Sequence, residues 1–254
     1  MSNVYKKAAQ ELLSRRVAGK KAPCLSVDLR PNNVEDALCI QSAMMELHDD
    51  SVAGWKCLQP LAGGKLVVGP IFANDMQQGE HCELYADKNV ARIEPEIAFV
   101  LSKGLPANDE GYTEAQINDA IGSCHMALEL IQARYAADSG AEFPDLLADG
   151  LANQGLFIGP EIERDKAFSA ASIAIEITQG DSTQSFSGIH PNESSVSPIY
   201  WLVNYMTRRG VSFQVGEALI TGSYCGVVEV EFNQLTQVNY SELGQYEVTF
   251  TEKQ

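Results

Sequence analysis

Residues 91–101, Ala-Arg-Ile-Glu-Pro-Glu-Ile-Ala-Phe-Val-Leu, constrain this chain more than any other stretch. Read as a strand, alternate side chains fall on opposite faces. Ala91, Ile93, Pro95, Ile97, Phe99 and Leu101 make one wholly apolar face. Arg92, Glu94, Glu96, Ala98 and Val100 make the other. Two carboxylates thus lie side by side and grade into small apolar residues, unlike a solvated face. Like charges so close raise each other's pKa unless a cation holds them ionised. Pro95 has no backbone donor, so the ladder is expected to be at an edge or bulged there.

A second segment, 127–133, repeats the theme with one acid: Glu129 shares its face with Ala127, Ile131 and Ala133. A lone carboxylate on an apolar surface is costly to bury unpaired. A divalent cation shared by Glu94, Glu96 and Glu129 answers both problems. Oxygen ligation without Cys or His points to Mg2+ or Mn2+ and away from zinc. An isolated Glu-x-Glu on a strand is more often a solvated edge, so the apolar setting of Glu129 carries most of the weight.

Around these segments the chain changes texture. Residues 4–16 pattern as a helix, and a second helix should begin with Asn33 as N-cap, carry Glu35 and Asp36 in its first turn, and break at 48–50. Beyond residue 52 strands dominate: 52–58, 66–68, 90–101, 127–135, 171–177, 218–220, 227–232 and 246–250. Two helices interrupt them. One runs from the capping box at Thr113 to about Ser123, and the other starts at Ser197-Pro198 as N-cap and first helical residue and stops at Gly210. The expected architecture is α+β, a mixed β-roll or sandwich with N-terminal and peripheral helices. Residues 1–50 are expected to form a helical segment packed on a metal-binding catalytic body of 51–254, the two making one structural unit.

Composition narrows the partners. Eighteen Lys+Arg against 34 Asp+Glu give a formal charge of −16, which disfavours nucleic acid or an anionic membrane as partner. A small anionic substrate remains compatible if its site is locally positive. Six scattered cysteines show neither a zinc-binding nor a disulfide spacing. Residues 1–16 are charged and lack a signal-peptide core, and no apolar run approaches the roughly 20 residues of a membrane span, so a cytoplasmic protein is expected.

Ile93-Glu94-Pro95-Glu96-Ile97-Ala98-Phe99-Val100, then Ala127-Leu128-Glu129-Leu130 with Arg134, then Ala148-Asp149, resembles the 2-keto-4-pentenoate hydratase and 4-oxalocrotonate decarboxylase group of the fumarylacetoacetate hydrolase superfamily. Gly54-Trp55-Lys56, Gly69-Pro70-Ile71-Phe72 with Asp75-Met76, Trp201-Leu202, Gly216 and Thr221-Gly222-Ser223 extend the resemblance in the family's order. It implies the superfamily's β-roll, Mg2+ or Mn2+ on the three glutamates, and a small 2-oxo or 2-hydroxy carboxylic acid as substrate. It also implies Lys56 and Asp75 near the reacting carbons, and Arg134, Asp149 and Ser223 as substrate-binding groups. A homo-oligomer, or assembly with a related hydratase or decarboxylase subunit, follows from the same likeness.

Some positions depart from the family pattern: Cys57-Leu58-Gln59-Pro60 after the lysine, a shorter span from Lys56 to Asp75, and Ala148-Asp149-Gly150 for the common Ala-Asp-Asn. His48, His81, His125 and His190 match no family role, and the hydrolytic branch's histidine is not evident. The expected reaction is hydration of a 2-hydroxy-2,4-dienoate. A decarboxylase is the runner-up, an acylpyruvate hydrolase comes third, and a non-catalytic partner subunit is the reading from another class. Lys56, set among Val52, Gly54 and Leu58, is expected to be desolvated, which makes its neutral form more accessible than in an exposed lysine.

Overall fold

The computed structural model describes residues 2–18 and 21–254. Two helices lead, α1 (Asn3–Ala18) and α2 (Val34–Leu47). The Asn33 side chain caps α2 by accepting from the Asp36 amide at 3.0 Å, and the helix ends at His48. One face of α2 is buried, and within it the Gln41 amide donates to the carbonyls of Val68 and Leu147 at 2.9 and 2.6 Å. That buried amide ties the helix to the body while satisfying its own donors.

The body then runs β1 (Val52–Cys57), β2 (Val68–Phe72), β3 (Met76–Gln78), β4 (His81–Leu84), β5 (Ala91–Leu101), α3 (Glu114–Ala120) and β6 (Ile121–Ile131). Next come α4 (Phe143–Ala148), β7 (Asn153–Ile162), α5 (Arg164–Ser169), β8 (Ser172–Gln179), β9 (Ser182–Ile189) and α6 (Ser197–Thr207). The last strands are β10 (Ala218–Ile220), β11 (Val228–Val230), β12 (Leu235–Tyr240) and β13 (Gly244–Glu252). Eight strands form a mixed sheet in the order β2-β1-β10-β5-β6-β7-β3, with β11 also paired to β5. Five more form a second sheet, β4-β13-β12-β8-β9. The protein is α+β, with both sheets mixed. No described helix is long and apolar enough to cross a membrane.

Strand β5 is central, and the expectation that Pro95 marks an edge or a bulge needs correction. On one side β5 pairs with β6 through Pro95, opposite Leu128. On the other, β11 covers 91–93 and β10 covers 98–100, so Pro95 lies in the gap between two partners. The Pro95 carbonyl faces that gap and accepts from the Tyr224 amide at 3.2 Å. A residue's N and C=O point the same way in a strand, so the missing donor falls where no strand asks for it.

Other boundaries also differ from expectation. Helix α3 ends at Ala120, not near Ser123, because β6 begins at Ile121 and stops four residues before the expected end at Tyr135. In α6 the cap is Val196, with Ser197 and Pro198 inside the first turn. The apolar face of β5 enters the main core through Ile93, Ile97, Phe99 and Leu101. The opposite face meets a smaller cluster of Ile71, Ala98, Ala127, Leu156, Ala218 and Ile220. Ala98 and Ala127 of this cluster share the sheet face of the glutamates.

Candidate metal centre

The ladder registers bring the acids together. Glu94 and Glu96 are two residues apart on β5, and Glu129 of β6 lies directly opposite Glu94. Directly opposed residues of an antiparallel pair share a face. Each of the three offers an oxygen, and these ligand atoms lie within 4.8 Å of one another. Glu96 and Glu129 are buried and Glu94 is partly buried.

Each acid is held by a neighbour. The Gly222 amide donates to Glu96 Oε2 at 2.7 Å. Glu129 Oε1 accepts from Lys56 Nζ at 2.5 Å and from Asn153 Nδ2 at 2.9 Å. Its other oxygen, Oε2, is buried with no hydrogen-bond partner among the described residues. A buried carboxylate oxygen left bare is costly, and here it stands among two more carboxylates. This is the arrangement a hard divalent cation satisfies, and the all-oxygen donor set suits Mg2+ or Mn2+.

Burial, followed by the charge of Glu129, pushes the Glu94 carboxyl up to about 7. Glu96 is driven well above the usual range, by burial first and then by Glu129 and Glu94. Lys56 corrects an expectation. Burial does work against its charge, but attraction to Glu129, Glu94 and Glu96 outweighs it, and its pKa is raised. The three acids favour the ammonium form of the lysine over the neutral amine.

Lys56 reaches the acids because β1 lies parallel to β10, with Lys56 opposite Ile220, and β10 lies against β5, with Ile220 opposite Ala98. A turn with positive φ at Gly150, Leu151 and Ala152 brings the Leu151 carbonyl to 3.4 Å from Lys56 Nζ. Such left-handed runs are uncommon outside glycine and mark a position held by its surroundings. Gly150 fits that turn. Around the acids is a cavity of about 230 Å³, lined also by Leu58, Val67, Pro191, Ser223 and Gly226. The Ser223 hydroxyl donates to the carbonyls of Pro95 and Gly226 at 3.2 and 3.1 Å.

The remaining expected site residues lie elsewhere. Asp75, expected near the reacting carbons, instead accepts from Arg16 Nη2 at 3.2 Å and borders a separate cavity. The charge of Arg16, brought in by α1, captures it. Arg134 and Asp149, expected to bind substrate, form a buried pair with Arg134 Nε at 3.0 and 2.9 Å from the two carboxylate oxygens. Arg134 Nη2 also donates to the Asp149 carbonyl at 2.6 Å. Neither lines the glutamate cavity. No histidine lines it among the described residues. The sequence reading missed Asn153 and Gly222 as partners of the acids. Gly222 lay inside a quoted motif, whereas Asn153 carried no signal of its own.

No family model matches the chain. It is 24% identical to a 2-keto-4-pentenoate hydratase of Paraburkholderia xenovorans, over 97% of this chain and 95% of that protein. It is 28% identical to a 2-oxo-hept-4-ene-1,7-dioate hydratase of Escherichia coli, over 95% of this chain and 96% of that protein. Among solved structures, a 4-oxalocrotonate decarboxylase of Pseudomonas putida G7, complexed with magnesium and adipate, superposes with a TM-score of 0.76. That match is 16% identical and covers 97% of both chains.

Proposed function

We propose that this chain, which belongs to the 2-keto-4-pentenoate hydratase and 4-oxalocrotonate decarboxylase group of the fumarylacetoacetate hydrolase superfamily, is a divalent-metal-dependent hydratase that converts a 2-hydroxy-2,4-dienoate into a 4-hydroxy-2-oxo acid. The observation that carries it is the meeting of three buried or half-buried glutamates, one with a bare oxygen, beside a charged lysine in one small cavity. Glu94, Glu96 and Glu129 are the groups to hold Mg2+ or Mn2+. When bound, the cation supplies a Lewis acid for the carboxylate and C2 oxygen of a 2-oxo acid.

The chain's own residues do the rest. Gly222 and Asn153 orient two of the acids from outside the cluster. Lys56, 2.5 Å from Glu129 at the edge of the cluster, is placed to donate a proton at Nζ as the dienol ketonises. Water then adds at C4 of the resulting unsaturated 2-oxo acid. Leu58, Val67 and Pro191, which line the cavity, offer apolar contact for the hydrocarbon part of the substrate. Ser223, on the cavity wall, is the polar side chain nearest in kind to a substrate-binding hydroxyl. A homo-oligomeric assembly and a cytoplasmic location belong to the same proposal, as expectations carried from the sequence.

A 4-oxalocrotonate-type decarboxylase is the second reading, and one observation favours it. Asp75, the expected water-orienting group, is held by Arg16 away from the glutamate cavity, and loss of carbon dioxide needs no such group. Incubation with 2-hydroxypenta-2,4-dienoate and Mg2+ separates the two. A hydratase bleaches the diene absorbance and forms 4-hydroxy-2-oxopentanoate. An unchanged diene spectrum, together with carbon dioxide release from 4-oxalocrotonate, would move the assignment to decarboxylase.

A further inference from the structure

A separate cavity of about 230 Å³ shares no lining residue with the glutamate pocket. Residues distant in sequence converge on it: Arg16 near the end of α1, His48 after α2, Asp75 before β3, Arg134 after β6, and Lys253 after β13. In a chain with a formal charge of −16, three cations gathered at one cavity are conspicuous.

The cations there are not fully compensated. Arg134, 1% exposed, is committed to Asp149 through its Nε and Nη2. Arg16, 8% exposed, has Asp75 at 3.2 Å and the Asn153 carbonyl at 3.0 Å. Lys253 Nζ is 4.0 Å from the same Asp75, beyond hydrogen-bond distance, so one carboxylate serves two cations. Burial, and next the charge of Arg134, press against ionisation of Arg16, so a further negative charge would be welcome. His48 adds a donor. Its Nδ1 accepts from the Asp50 amide at 3.0 Å, so Nε2 is the ring nitrogen left to donate, without a partner among the described residues.

Of the three lining cations Arg134 is paired with Asp149, so Arg16 and Lys253 share Asp75, the one carboxylate among the lining residues, an excess of one positive charge on the cavity wall; Asp50, behind it, accepts from the Asn74 amide. A monocarboxylate matches that excess, and guanidinium is the side chain best shaped to receive it. We propose that this cavity is a binding site for a small monocarboxylate, held by Arg16, Lys253 and His48. The inference goes beyond the proposed reaction and does not require it. Occupancy is also felt at the acids, because Asn153 bridges the two sites: its carbonyl accepts from Arg16 and its side chain donates to Glu129.

The test is an acetate titration of the full-length, Mg2+-loaded protein with 15N-labelled arginine, reading side-chain Nε–H signals by NMR. Arg16→Gln assigns the Arg16 signal, and matched sodium chloride controls for ionic strength. The expected result is a saturable shift of the Arg16 signal that survives Glu129→Gln. Lys253→Gln, a change at a half-exposed side chain near the C-terminus, should weaken acetate about tenfold by removing one charge-assisted contact. An Arg16 signal that moves no more with acetate than with chloride would overturn the proposal. So would a shift that Glu129→Gln abolishes and Lys253→Gln leaves alone, because the acetate would then be acting from the glutamate site.

Discussion

Replacing Lys56 with methionine keeps the apolar stem and removes the charge and the proton. The ion pair it breaks is buried: Nζ lies 2.5 Å from Glu129 Oε1, and the two side chains are 11% and 1% exposed. Deleting one partner of such a pair typically costs about 3–5 kcal/mol, because the other charge is left without compensation. Here the cluster can shed charge by taking up a proton, since Glu94 is already pushed up to about 7. The lower end of that range is therefore expected at pH 7, which corresponds to a fall in melting temperature on the order of 10 °C. A divalent cation replaces the missing positive charge, so saturating Mg2+ should recover most of the loss. Turnover should not recover with it, and should stay down by about 10²–10⁴-fold, the usual worth of a positioned acid or base. Circular-dichroism melts of Lys56→Met and the unmodified protein, each in chelator and in Mg2+, are read beside turnover on the same samples. Equal melting in chelator together with near-normal turnover would refute both the structural and the catalytic account of Lys56.

The same cluster predicts a pH dependence. A carboxyl raised from 4.5 to about 7 on folding binds its proton more tightly in the folded state, so its contribution to stability is complete below about 4.5 and is lost as pH rises through about 7. Denaturant titrations in chelator should show that loss, and Glu94→Gln should flatten the slope. Mg2+ should reverse the trend, because the cation binds the ionised acids. Gly54→Ala tests the scaffold: a Cβ there would sit 2.5 Å from the Ala218 carbonyl oxygen, forcing β1 and β10 apart two residues before Lys56. A loss of about 1–3 kcal/mol in stability, with a fall in turnover, is expected from such overpacking, and unchanged melting would contradict the packing described.

Much of the site was legible because period-two alternation speaks directly to strands. The two faces of β5 separate as the sequence indicates, one into the main core and one toward the acids. Glu129 stood out for its apolar neighbours, and the register places it opposite Glu94. Other strands were hidden. Strand β7 carries Gly155, Gly159 and Pro160, which read as turn residues, yet it is paired to β6 on one side and β3 on the other. Strand β9, Ser-Thr-Gln-Ser-Phe-Ser-Gly-Ile, is a polar edge strand without an apolar face to reveal it. Pairings chosen by tertiary structure were beyond local pattern. Arg16 takes Asp75, and Arg134 takes Asp149, across separations that no spacing rule reports. The charge state of Lys56 was misjudged for the same reason, since burial was visible in its neighbours but the contact with Glu129 was not.

Calorimetric titration of Mg2+ into the unmodified protein and into Glu129→Gln tests the central claim most directly. One Mg2+ per chain is expected in the unmodified protein. Glu129→Gln, which removes the charge behind the bare Oε2 while keeping the side chain's shape, should lose most of that affinity with its fold intact by circular dichroism. Unchanged Mg2+ affinity in a folded Glu129→Gln protein would contradict the three-glutamate site and the chemistry built on it.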